Sequence, residues 1–133
     1  MRRRYTTLAI AGVLLGACGS GLRTVPRGPT SRNLPWIVVD YPPPPAEVEQ
    51  IPPDPGKPCD WLDGHWEWLG RRWQWVDGKW VVPPSGCHYV DPWMSWVPAH
   101  DGNELHYWLP RWLPNVANTI CKQPVLCRTE QKK

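Results

Sequence analysis

"WEWLGRRWQW", residues 66–75, places four tryptophans in ten positions around a Gly-Arg-Arg. The whole chain holds 11 Trp and no Phe in 133 residues, so the reading of this stretch decides what the fold does with its indoles. "HWEWL" and "RWQWV" both alternate with period two, the pattern of a strand with one buried face. Gly70-Arg71, taken as a two-residue loop of type II′ with Gly first, sets Leu69 against Arg72, Trp68 against Trp73, Glu67 against Gln74 and Trp66 against Trp75. The two Trp pairs then occupy the non-hydrogen-bonded positions, where cross-strand side chains approach most closely. All four rings share a face, and each pair adds about 0.5–1.5 kcal/mol beyond area burial.

Trp61-Leu62-Asp63-Gly64-His65-Trp66 and Trp75-Val76-Asp77-Gly78-Lys79-Trp80, which overlap this stretch at either end, both read W-x-x-G-x-W, fourteen residues apart. Asp-Gly between alternating aromatic and polar residues is a strong hairpin signal, with Gly supplying positive φ. Asp63-Gly64, Gly70-Arg71 and Asp77-Gly78 therefore predict a four-stranded antiparallel meander with short outer strands. One detail resists: "HWEWL" has five residues, and two successive two-residue hairpins need an even strand. Three-residue loops with a G1 bulge at Leu62-Asp63-Gly64 and Val76-Asp77-Gly78 repair the parity and turn Trp61 and Trp80 to the opposite face. The simpler turns would leave them with the other four. The bulge is the favoured choice.

This pair of motifs resembles the WXXGXW (YXWGXW-type) repeat family of exported bacterial proteins. "WMSWVPAHDGNELHYWLPRW", residues 93–112, looks like a degraded further copy. The resemblance implies an envelope location and no particular reaction. The residues themselves predict an all-β domain over residues 59–116, a small Trp-rich meander of short hairpins. Trp61, Trp66, Trp68, Trp73, Trp75 and Trp80 form its aromatic core or surface. Residues 88–98 and 104–114 read as two further strands around His100-Asp101-Gly102-Asn103, kept short by Pro92, Pro98, Pro110 and Pro114.

The N-terminus reads as a secretory signal over residues 1–17. Arg2, Arg3 and Arg4 precede a short apolar run and small residues. Leu15-Gly16-Ala17-Cys18 resembles the lipobox of bacterial lipoproteins, which implies that Cys18 is lipidated and becomes the mature N-terminus. Gly19 and Ser20 offer no Asp beside it, which by the same resemblance points to the outer membrane where the cell has one. Losing three arginines lowers Lys+Arg from 15 to 12, equal to the 12 Asp+Glu. The basic balance thus belongs to the precursor and gives no support to nucleic-acid binding.

Residues 18–58 contain eleven prolines, including Pro42 to Pro45. That composition predicts a disordered, Pro-rich tether, with "WIVV" at residues 36–39 either a stray edge strand or a sticky segment. Cys59, Cys87, Cys121 and Cys127 are an even set in an exported chain, and oxidised pairs are expected. Of the three pairings, Cys59–Cys87 and Cys121–Cys127 are favoured on proximity. Residues 117–133 read as a polar, disulfide-containing tail.

No nucleophile elbow, zinc-protease motif or phosphate loop is present. Asp63 and Asp77 read as turn residues, Glu67 as solvent face, and His65, His88, His100 and His106 fall at no zinc spacing. No enzyme activity, cofactor or metal is expected. Two partner classes remain for a membrane-anchored module: an envelope protein, reached through a structural or interaction surface, or a glycan (peptidoglycan or exopolysaccharide) stacked on exposed Trp faces.

Overall fold

The computed structural model describes residues 21–30 and 33–128; residues 1–17, read from the sequence as a secretory signal, and Cys18 lie outside them. The described chain is all-β, as the alternation implies. Its strands are β1 (Trp36–Val39), β2 (Asp60–Leu62), β3 (His65–Leu69), β4 (Arg72–Val76), β5 (Lys79–Val82), β6 (Cys87–Val90), β7 (Trp93–Ala99), β8 (Gly102–Trp108), β9 (Arg111–Pro114) and β10 (Val125–Leu126). They form small antiparallel sheets in the orders β1-β8-β7, β10-β5-β2, β3-β4 and β6-β9.

The tip of the first hairpin has the expected register, with Leu69 opposite Arg72, Trp68 opposite Trp73 and Trp66 opposite Trp75. Both Trp pairs meet edge-to-face, with centroids 5.1 Å and 5.2 Å apart. The turn type differs. Gly70 has φ 57° and Arg71 φ 66°, so the loop is type I′ rather than II′. Its twist matches that of the strands, at the cost of putting an arginine in the left-handed region.

The Asp-Gly pairs are not turns, and the four-stranded meander does not form. Instead β2 lies opposite β5, with Trp61 facing Trp80 and Leu62 facing Lys79. His65 faces Val76 in the next pairing, so both arms advance together through the Asp-Gly positions. Residues 60–69 and 72–82 thus make one long hairpin with a gap in its middle. The odd length of "HWEWL" is no problem once no second turn is demanded of it.

At the gap the carboxylate of Glu49 accepts the backbone N–H of Gly64 (2.8 Å) and that of Gly78. Neither glycine is among those with positive φ. Space demands them instead. A Cβ on Gly64 would stand 2.6 Å from both Trp75 Cζ2 and Glu49 Oε1, and one on Gly78 would strike Trp61 Cζ2. Each glycine therefore makes room for the first tryptophan of the other motif.

The six repeat tryptophans lie along one side of this hairpin, which corrects the bulged arrangement. Residues 41–52 run along that side. Trp66, Trp73 and Trp80 donate their indole N–H groups to the carbonyls of Pro45, Tyr41 and Pro52 at 3.2, 2.9 and 3.1 Å. Tyr41 packs edge-on against Trp68, and Trp61 and Trp75 flank the hollow around Glu49. Positions five apart in an unbroken strand would point to opposite faces, so the gap absorbs half a pleat.

The second hairpin repeats the plan. β6 pairs with β9 and β7 with β8, with Val90 facing Arg111 and Trp93 facing Trp108. Between them Asp91-Pro92 and Leu109-Pro110 interrupt the ladder, because proline has no N–H to donate. The loop is His100-Asp101 alone, between Ala99 and Gly102; Gly102 and Asn103, read from the sequence as part of the turn, already pair with Ala99 and Pro98.

From Gly21 onward, the described part of the Pro-rich segment is not a free tether. β1 joins the edge of β8, which settles "WIVV" as an edge strand. Val25 donates to the Trp61 carbonyl and Tyr89 to that of Pro26, at 3.0 and 2.7 Å, so residues 23–28 knit the two hairpins together. Val25, Leu34 and Val39 are buried. An extended polyproline-like strand leaves its carbonyls unpaired, and these accept the indole donors that a Trp core must satisfy.

The disulfides also differ from expectation. Cys59 bonds Cys127, and Cys87 bonds Cys121. β10 lies against β5, which brings Cys127 beside the start of β2; the Cys127 N–H donates to the Trp80 carbonyl at 2.9 Å. The C-terminal segment through residue 128 is thereby sewn to both hairpins.

Candidate functional site

The repeat tryptophans are spent mostly on the interior. Trp61 and Trp80 are 2 % exposed and Trp73 is buried, while Trp66, Trp68 and Trp75 are half-buried. Trp61 and Trp80 pack with Cys59, Val82 and Cys127; Trp66, Trp68 and Trp73 pack with Leu105 and Tyr107. Cys18 falls outside the described residues. The exposed tryptophans are Trp36, Trp93 and Trp96, none of them in the two W-x-x-G-x-W motifs.

Two places combine aromatic surface with polar groups. The first is a cavity of about 270 Å³ between the hairpins, beneath Pro43 and Ala46. Trp66, Trp73, Trp75, Tyr89, Met94 and Tyr107 line it. Asp63 and Asp91, also lining it, both come from the gap residues of their hairpins. Arg27 bridges the two, with Nη2 2.5 Å from Asp63 and Nε 2.8 Å from Asp91. Burial alone would lower the Arg27 pKa, but Asp91 and Asp63 outweigh it and raise it. The Tyr107 hydroxyl donates to the Trp66 carbonyl at 2.8 Å. Burial pushes Tyr107 and Tyr89 well above the usual phenol range, with Glu67 adding to the effect at Tyr107 and Asp91 at Tyr89. Both therefore stay neutral donors across the physiological range.

The second place is the outer face of sheet β1-β8-β7. Trp36, Trp108 and Trp93 stand in one row across the three strands. Trp93 stacks on Trp108 with centroids 3.7 Å apart, and Trp36 stacks on His106 at 3.8 Å. Nε2 of His106 is 3.0 Å from a Glu104 oxygen. Trp108 and His106 are buried between the outer rings, and Trp36 and Trp93 are 47 % and 37 % exposed.

Compared with known proteins, the chain matches no family model, no curated protein and no solved structure.

Other polar groups singled out in the sequence have structural partners. Glu67 pairs with His65 at 3.1 Å, and His88 lies between Asn115 and the Pro29 carbonyl at 2.7 and 3.2 Å. Among the described residues no three His, Cys, Asp or Glu side chains are grouped to hold a metal ion. Sequence reasoning missed Trp36, Glu49 and Arg27 because they sit in the segment read as a tether. Trp36 had a signal in the β-branched run that follows it. Glu49 and Arg27 had none, since their partners are distant in the chain.

Proposed function

We propose that this chain is a lipid-anchored cell-envelope protein whose Trp-repeat β domain serves as a structural and protein-interaction module. The lipobox ending at Cys18 and the oxidised cysteine framework support the location. The carrying observation for the role is the division of the tryptophans. The repeat builds the interior, while the outer face of β1-β8-β7 leaves Trp36 and Trp93 exposed on either side of the buried Trp108. Exposed, rigid indoles on a stable scaffold are the usual anchors of a protein interface.

A photo-reactive residue substituted for Trp36 or Trp93 in the anchored protein tests this. Crosslinking to one envelope protein is expected from both positions, and from neither Val116 nor Ile120, which are also exposed. Crosslinks spread evenly over all four positions would remove the reading.

A glycan is the second reading. The flat indoles of Trp36 and Trp93 lie on strands at opposite edges of the sheet, two interstrand spacings or roughly 10 Å apart. Saturable quenching of Trp fluorescence by peptidoglycan fragments, lost in Trp93→Ala, would favour it over a protein partner.

A further inference from the structure

We propose that the cavity between the two hairpins is a binding site for a compact organic cation, a quaternary ammonium or protonated amine carried by a small molecule. The site is separate from the outer sheet face and does not depend on the function assigned to that face.

Trp66, Trp73, Trp75, Tyr89 and Tyr107 surround one cavity, with Met94 beside them. Aromatic faces carry the negative lobe of the ring quadrupole and attract a desolvated cation. A neutral, hydroxyl-rich ligand would need convergent hydrogen-bonding groups, and these walls are mostly apolar. The Tyr107 hydroxyl is already committed to the Trp66 carbonyl.

Charge points the same way. Asp63 and Asp91 line the cavity, while no lysine or arginine does. The nearest guanidinium, Arg27, is shared between the two carboxylates, so the trio carries a net charge of −1. His65, the remaining titratable group of the lining besides the tyrosines, is paired with Glu67. Aromatic walls with one uncompensated negative charge complement a single positive charge. The gap in each hairpin explains the arrangement: it breaks the ladder at residue 63 in one hairpin and at residue 91 in the other, and residues 23–28, which carry Arg27, cross between them.

Titration of the full chain with choline, followed by intrinsic Trp fluorescence and calorimetry, tests the site. The control ligand is 3,3-dimethylbutan-1-ol, which replaces the ammonium nitrogen by carbon and keeps the shape. Saturable binding of choline is expected, roughly tenfold or more tighter than that of the alcohol. Asp91→Asn removes one rim charge from a half-exposed position and should weaken choline several-fold without changing the alcohol. Trp75→Leu should weaken both. Near-UV circular dichroism establishes that each variant is folded, and the Asp91→Asn comparison stands even if Trp75→Leu does not fold. Equal affinity for choline and its carbon isostere would overturn the proposal, as would no saturable signal, binding that ignores Asp91→Asn, or a response to neutral disaccharides alone.

Discussion

Glu49 does at one residue what the sequence assigned to two turns. Its carboxylate takes both glycine N–H groups of the repeat and fills the space that their missing side chains leave. Glu49→Ala leaves two partly buried donors without their charged acceptor. We expect a loss of about 2–4 kcal/mol of unfolding free energy by chemical denaturation. Gly78→Ala should cost about 1–3 kcal/mol, because its methyl meets the Trp61 ring rather than because of its φ. Arg71 is the opposite case. It sits at φ 66° in an exposed turn, and its ion pair with Asp40 is a surface contact of small worth. Arg71→Gly should raise stability by up to about 1 kcal/mol. The glycines were visible in the sequence, but their reason was not. Positive φ and close approach select the same residue, and only the position of a ring and a carboxylate distinguishes them.

At the scale of the elements, the tip register was legible because alternation and a two-residue loop leave one solution. The Asp-Gly steps were misread because turn chemistry is local and a gap in a long hairpin uses the same residues as a turn. The described part of the Pro-rich segment was misread because proline content argues against a core, whereas here proline-rich backbone supplies acceptors to a core made by other residues. Two measurements follow. The edge-to-face pairs should give an exciton couplet in the far-UV circular dichroism, diminished in Trp68→Ala, and a helical spectrum would contradict the fold. Glutamyl endopeptidase should leave the Glu49 bond intact under native conditions, because cleavage requires the Glu49 side chain to leave the two glycine N–H groups and residues 41–52 to lift from the tryptophans beneath them. Rapid cutting there in folded protein would restore the tether.

For the whole molecule, the cross-links decide how the parts are held. Cys59–Cys127 and Cys87–Cys121 close loops with separations of 68 and 34 residues. In the chain-entropy view each stabilises by about 4 kcal/mol. Peptide mapping without reductant should recover these two pairs, and the neighbouring Cys121–Cys127 pair would overturn the topology. Reduction should unfold the domain. Proximity along the sequence favoured the local pairing, but β10 returns to β5 and carries its cysteine past the nearer partner. No pattern in residues 117–127 announces that return.

The two W-x-x-G-x-W motifs face each other in antiparallel register, with Trp61 opposite Trp80 and Trp66 opposite Trp75. The first indole of each copy meets the last of the other, and each glycine receives the other copy's ring. A local two-fold axis therefore passes through the Asp-Gly gap, and one glutamate from outside the pair sits on it. The motif is complementary to itself, so a single copy is half of a symmetric object. A chain bearing one copy has its missing half on another molecule, and the same contacts that close this hairpin would then join two chains as an isologous pair.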